Sequence, residues 1–228
     1  MNKLKTLLAA CALVIGSSMS AIADSSNFAG PYIGLQGSSI GAGVQGGQSG
    51  GADDVNESAN VNVGKVGITA GLEVGYAIPL GSGMLIDIGG SYIDGTVSLR
   101  HQSTDLADSG DVKFNVSQFY TGYIAPTLVM SDTSSIYFKV GYQEATVDIT
   151  GDVTNPGDLQ GNTYAIGTRT VLDSGIFIRT EAGYTDYNGI GARGKGEGTQ
   201  GTTLIDTATK FSADPTIVHG VISLGFRF

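Results

Sequence analysis

From Lys65 to Ile78 the chain alternates without a break. Val66, Ile68, Ala70, Leu72, Val74, Tyr76 and Ile78 take one phase, and Lys65, Gly67, Thr69, Gly71, Glu73, Gly75 and Ala77 take the other. A period of two held over this length predicts a β-strand with one greasy face and one small or polar face. The pattern returns in Ile136, Phe138, Val140 and Tyr142, in Ile176, Ile178, Thr180, Ala182 and Tyr184, and in Val218, Ile222, Leu224, Phe226 and Phe228. Less regular versions cover Tyr32 to Ser38, Met84 to Leu99, Val112 to Leu128 and Thr163 to Leu172, which brings the predicted strands to eight. Gln118 falls on the greasy phase and Phe119 on the polar phase of the fourth, so a β-bulge, which re-aims side chains, is expected near them.

The connections sort by length. Gly43 to Asn62, His101 to Asp111, Gly151 to Asn162 and Asn188 to Lys210 are long and rich in Gly, Ser, Asn and Asp. Pro79 to Gly83, Ser131 to Ser134 and Asp173 to Gly175 are tight turns. Strict alternation of long and short places every long loop at one end of an up-and-down meander, the asymmetry of a transmembrane barrel with short periplasmic turns. A soluble eight-stranded barrel would alternate too, with its apolar face inward. The polar phase decides between them, because it carries mostly Gly, Ser and Thr with rare charges, which suits a confined interior better than a water-washed face. Tyr76, Tyr92, Tyr142, Tyr184, Phe226 and Phe228 lie on the apolar phase near strand ends, where aromatic girdles meet the bilayer interfaces. The expected fold class is all-β, an eight-stranded antiparallel up-and-down transmembrane β-barrel, monomeric, with a lumen filled by side chains.

Composition agrees. Of 228 residues 36 are Gly and only 14% are charged, against about 25% in a typical soluble domain. Residues 1 to 23 read as a signal peptide: Lys3 and Lys5, an apolar run from Leu7 to Ile15, then Ala21-Ile22-Ala23. Residues 24 to 228 are then one barrel domain. Leu8-Ala9-Ala10-Cys11 also matches a lipoprotein box, but the apolar run continues past it. The net charge of −9 becomes −11 once Lys3 and Lys5 are removed, which excludes the basic footprint of a nucleic-acid binder. Cys11 is the only cysteine, so the exported chain has neither a disulfide framework nor a cysteine metal site.

Phe28-Ala29-Gly30-Pro31-Tyr32-Ile33-Gly34-Leu35, Ile176 to Tyr184 and the closing Gly225-Phe226-Arg227-Phe228 give the chain a further character. With the leader, they make it resemble the small outer-membrane β-barrel family, which includes opacity-type proteins and the barrel half of outer membrane protein A. The resemblance implies a bacterial outer-membrane location and contact with outer-membrane lipids. It also implies assembly with periplasmic chaperones and the barrel-assembly machinery, for which Phe228 would be the terminal signal. No domain follows Phe228 in this sequence, so the peptidoglycan anchoring of larger relatives is not expected.

The polar phase gathers three acids and three bases, Glu73, Asp87, Lys139, Arg169, Arg179 and Glu181, each about four to six residues from a periplasmic turn or strand end. A neutral ion-pair network in the lower lumen follows, since a charge taken out of water must be paired. Read functionally it is a gate, and read structurally it is a static polar core. Lumen glycines such as Gly75, Gly167 and Gly183 would leave room for the long charged side chains.

No catalytic, cofactor or metal site is expected. His219 and Ser223 share a face but stand about 13 Å apart along the strand, and His101 begins a loop with no convergent partners. Gly189 to Gly194 matches a dinucleotide fingerprint only as a string, since no helix can follow it, and it reads as a surface loop. The loop acids, Asp53, Asp54, Glu57, Asp105, Asp108, Asp111, Asp152 and Asp158, lack calcium-loop spacing and read as solvated. The expected function is a non-enzymatic structural role in the envelope with surface recognition through the loops. A narrow solute channel and a surface adhesin are the alternatives.

Overall fold

The computed structural model describes residues 24–49, 65–81, 83–101, 112–196, 207 and 210–228. The expected signal peptide and the acids of the first two long loops lie outside them. Nine strands are present among the described residues: β1 Gly30–Ser49, β2 Lys65–Gly81, β3 Met84–His101, β4 Val112–Val129, β5 Ser134–Thr150, β6 Leu159–Val171, β7 Ile176–Tyr187, β8 Ile190–Arg193 and β9 Lys210–Arg227. All pairs are antiparallel. The sheet runs from β1 to β7, then to β9, and closes where β9 pairs with β1 from Tyr32↔Arg227 to Ser49↔Lys210. Closure leaves no open edge in the lower wall, the condition for strands to cross hydrocarbon. None of the described residues forms a helix long and apolar enough to cross a membrane.

The expected sidedness is present in the lower wall. Ile68 is 90% exposed on the outer surface, Ile222 and Leu224 more than half, while Glu73 and Asp87 are at most 1% exposed inside. The expected bulge near Gln118 is also present. Gln118 has φ +54°, and the pairings of β4 with β3 and with β5 both slip beside it. The bulge turns Gln118 out and Phe119 in, and Val116 above it then shares the interior with Phe119 despite its opposite parity.

The strands run further than the pattern predicts. β1 continues to Ser49 and β6 begins at Leu159, so parts of the expected first and third loops are strand. His101 is the last residue of β3 rather than the start of a loop. Ile190–Arg193, inside the expected fourth loop and within the fingerprint-like string, is β8, paired with β9 from Ile190↔Ala213 to Arg193↔Lys210. β8 prolongs β7 after a break at Pro215, which has no N–H to give to a ladder. Asp152 is buried, not solvated, while Asp158 is exposed.

A short 3₁₀ turn, Ser25–Phe28, tucks under the periplasmic end. Asp24 caps it by accepting the Ser26 N–H at 2.9 Å, and Ser25 Oγ donates to the Gly81 carbonyl at 2.8 Å. Phe28 is thereby pushed fully out of solvent into the barrel mouth. It packs there with Tyr32, Ala77, Leu85, Val129, Val171 and Phe177.

Candidate functional site in the barrel lumen

The lumen is built in layers. Above the Phe28 floor lies the ionic layer, and all six charged residues expected there are in it. Arg169 Nη2 donates to Asp87 Oδ2 at 2.6 Å, Arg179 Nη1 to Glu73 Oε2 at 3.3 Å, and Lys139 Nζ pairs with Glu181 Oε2. Each pair crosses the lumen between strands that are not neighbours in the wall: β6 with β3, β7 with β2, β5 with β7. Such pairs join across the bore strands that no ladder hydrogen bond links.

Aromatic rings separate the cations. The Arg169 guanidinium lies 4.8 Å from the Tyr32 ring centre and 5.3 Å from that of Phe177, Arg179 lies 4.4 Å from Tyr137, and Lys139 Nζ lies 4.3 Å from Tyr123. A desolvated cation over a ring face gains on the order of 2 kcal/mol. The hydroxyls join in. Those of Tyr32 and Tyr123 share a hydrogen bond of 2.9 Å, both accept from Arg179 Nη1, and Tyr137 donates to Glu181 Oε2 at 3.0 Å. Gln36 Nε2 donates to Glu73 Oε2 at 3.1 Å. Three acids and three bases thus pair off within the layer, and Glu73, Glu181, Asp87, Arg169 and Arg179 have hydrogen bonds beyond their counterparts.

These tyrosines were not among the residues that sequence reasoning selected. Their signal was present, since Tyr137 and Phe177 stand on the polar phase of their strands, where an aromatic side chain must enter the lumen. Four of the lumen glycines face these rings rather than the charged side chains. Tyr32 stands directly opposite Gly75, Tyr123 opposite Gly89, Tyr137 opposite Gly167, and Phe177 opposite Gly225. A Cβ at any of the four glycines would collide with the facing ring. The ring lies over the glycine and covers backbone that the missing side chain would leave bare.

His219 lies opposite Gly183 in the same way, and its Nε2 is 3.5 Å from Glu181 Oε1. Its partner is therefore a carboxylate already held by Lys139 and Tyr137, and Ser223 stays apart. No three His, Cys, Asp or Glu side chains among the described residues are grouped to hold a metal ion. Above the ions, Gln143 donates to Thr121 at 2.8 Å and accepts from Tyr187 at 2.5 Å. A cavity of about 20 Å³ lies here beside Gln36, Lys139, Glu181 and His219, about the space of one water molecule. The outer half of the lumen is apolar, contrary to the expectation of small and polar residues throughout. Ile40, Ile93, Val97, Val116, Phe119, Val147, Leu159 and Ile217 close it as one packed cluster.

Residues 9–212 match the model of the outer membrane protein beta-barrel domain. No curated protein sequence matches the chain. Among solved structures, the outer membrane protein OprG from Pseudomonas aeruginosa is similar at 14% identity over 88% of this chain and 96% of its own, with a TM-score of 0.60. Neisserial surface protein A is similar at 10% identity over 87% and 97%, with a TM-score of 0.48. Ail, the attachment invasion locus protein of Yersinia pestis, is similar at 14% identity over 86% and 99%, with a TM-score of 0.43.

Proposed function

We propose that this chain, which belongs to the outer membrane protein beta-barrel domain family, serves the bacterial outer membrane as a sealed, monomeric structural barrel that carries its long loops to the cell surface. The observation that supports this reading is the stacking of three lumen layers among the described residues, a floor around Phe28, the ion pairs and the outer apolar cluster. An eight-stranded wall encloses a bore that side chains can fill, and here large rings and guanidinium groups fill it. The ionic layer acts as a brace and not as a gate. Opening it would strand three buried carboxylates, and each stranded charge costs several kcal/mol. The proposed role is non-enzymatic, with the charged groups of the layer serving one another as partners.

Purified protein added to a planar bilayer is expected to leave the membrane electrically quiet. Steady ohmic openings would instead establish a narrow channel and overturn the sealed barrel.

Assembly is proposed to run through periplasmic chaperones and the barrel-assembly machinery, with Phe228 as the terminal signal. Phe228 is 73% exposed on the outer wall, its ring 5.2 Å from that of Phe226, and its N–H donates to the Pro31 carbonyl at 3.0 Å. Deleting Phe228 is expected to lower the amount of barrel in the outer membrane sharply, while refolding of the same variant in detergent proceeds as for the native chain. Equal loss in both settings would make Phe228 a stability residue and not a signal.

A further inference from the structure

The chemistry of the wall turns over partway up the barrel. On β5, Ile136, Val140 and Tyr142 face out while Lys139 and Gln143 face in; further along the strand Glu144 and Asp148 face out while Ala145 and Val147 are buried. On β9, Leu224, Ile222 and Val218 face out, and above them Thr216, Asp214 and Lys210 take their place while Ile217 is buried. β6 and β7 behave alike, with Tyr164 and Tyr184 paired on the outer surface and Asn162 and Asp186 above them. Below the change the barrel is greasy outside and polar inside. Above it, the barrel is polar outside with a dry core, the pattern of a protein dissolved in water.

A ring of tyrosines marks the border. The rings of Tyr92 and Tyr120 pack 4.8 Å apart, and the hydroxyls point upward, Tyr142 donating to Gln160 at 3.0 Å and Tyr92 to Asp94 at 3.5 Å. An aromatic body in hydrocarbon with its hydroxyl in the wet layer is how tyrosine sits at a membrane interface. The greasy band also has the right height. From Phe228 to Val218 is about 33 Å of strand at about 3.3 Å per residue, which at a tilt of about 40° spans about 25 Å of bilayer.

We infer that lipid covers only the wall below the tyrosine ring, and that the upper barrel stands clear of the bilayer as a water-washed pedestal with its own apolar core. The carboxylates on its outer wall, Asp94, Glu144, Asp148, Asp186 and Asp214, could not remain charged against acyl chains, and facing the hydrated head-group layer they need no partner. The pedestal lifts the upper strand ends off the membrane surface. This inference rests on the outer-membrane placement and is independent of whether the lumen conducts.

The test uses the full chain with Cys11→Ser, so that a single introduced cysteine carries the label. An environment-sensitive fluorophore is placed at Ile166→Cys or Leu224→Cys below the ring and at Asp148→Cys or Asp214→Cys above it. All four sites are exposed, so the fold tolerates the label. In dimyristoylphosphatidylcholine vesicles, a nitroxide lipid is expected to quench positions 166 and 224 by about twofold or more and spare 148 and 214, and iodide in the buffer is expected to do the reverse. Lipid quenching of 148 and 214 as strong as that of 224 would bury the pedestal in the bilayer and overturn the inference, as would iodide reaching 166 and 224.

Discussion

Replacing Arg179 by methionine is expected to remove about 3–5 kcal/mol of stability, the largest loss of any single lumen substitution considered. Arg179 is 2% exposed and reaches Glu73, Tyr32 and Tyr123 with one nitrogen while its guanidinium lies on the Tyr137 ring. Methionine keeps much of the volume and removes every one of these donors. Glu73, 1% exposed, would retain only the Gln36 amide, and one neutral donor does not replace the field of a buried cation. The attraction within a buried pair roughly offsets the cost of drying both ions, so removing both should be far milder than removing one. The double variant Glu73→Met with Arg179→Met is therefore expected to recover most of the loss. Because the chain has no tryptophan, unfolding in urea is best followed by circular dichroism and by the gel mobility of unheated protein. A single variant within about 1 kcal/mol of the native chain, or a double variant as unstable as the single, would show that the pair does not brace the barrel.

The lower wall was legible in the sequence because one chemistry repeats there at period two, without a break from Lys65 to Ile78 on β2. The same rule hid the upper barrel. On β5 the apolar positions pass from Tyr142, facing out, to Ala145, facing in, and an odd interval reads as the end of a strand. Leu159 and Gly161 face in on β6 beneath an outer surface of Gln160 and Asn162, so the stretch reads as a polar loop although it lies in the wall. The six lumen charges were legible as a set, since each lies on the polar phase near a periplasmic end. Their pairing was not, because Lys139 meets Glu181, and Arg169 meets Asp87, across the bore between strands that share no ladder. Sequence spacing fixes height along one strand and its neighbours by register, but says nothing of which side chain reaches across a cylinder. The ring–glycine pairs were hidden for a related reason: Gly75 and Tyr32 are brought opposite each other only by the register of β1 on β2.

Those pairs make a prediction whose sign depends on the side of the wall. Valine is a better strand former than glycine by up to about 1 kcal/mol, so Gly→Val in a strand should stabilise wherever the new side chain has room. At Gly122, on the outer surface of β4, nothing lies within 4 Å of a new Cβ, and Gly122→Val is expected to be neutral or stabilising by about that amount. At Gly75 the new Cβ would fall on the Tyr32 hydroxyl and ring carbon and 2.9 Å from the Ile88 carbonyl oxygen. The carbonyl is fixed by the ladder. The Tyr32 ring cannot swing away cheaply either, because its hydroxyl is tied to Tyr123 and Arg179 and its face to Arg169. Overpacking of this kind costs about 1–3 kcal/mol or more, and here the displaced ring would also disturb two of the three ion pairs. Gly75→Val is therefore expected to destabilise by at least about 3 kcal/mol relative to Gly122→Val, measured as the difference in urea midpoint at equal slope. Should the two substitutions shift the midpoint alike, the rings are not seated on their glycines, and the ionic layer has lost the packing that holds its arginines in place.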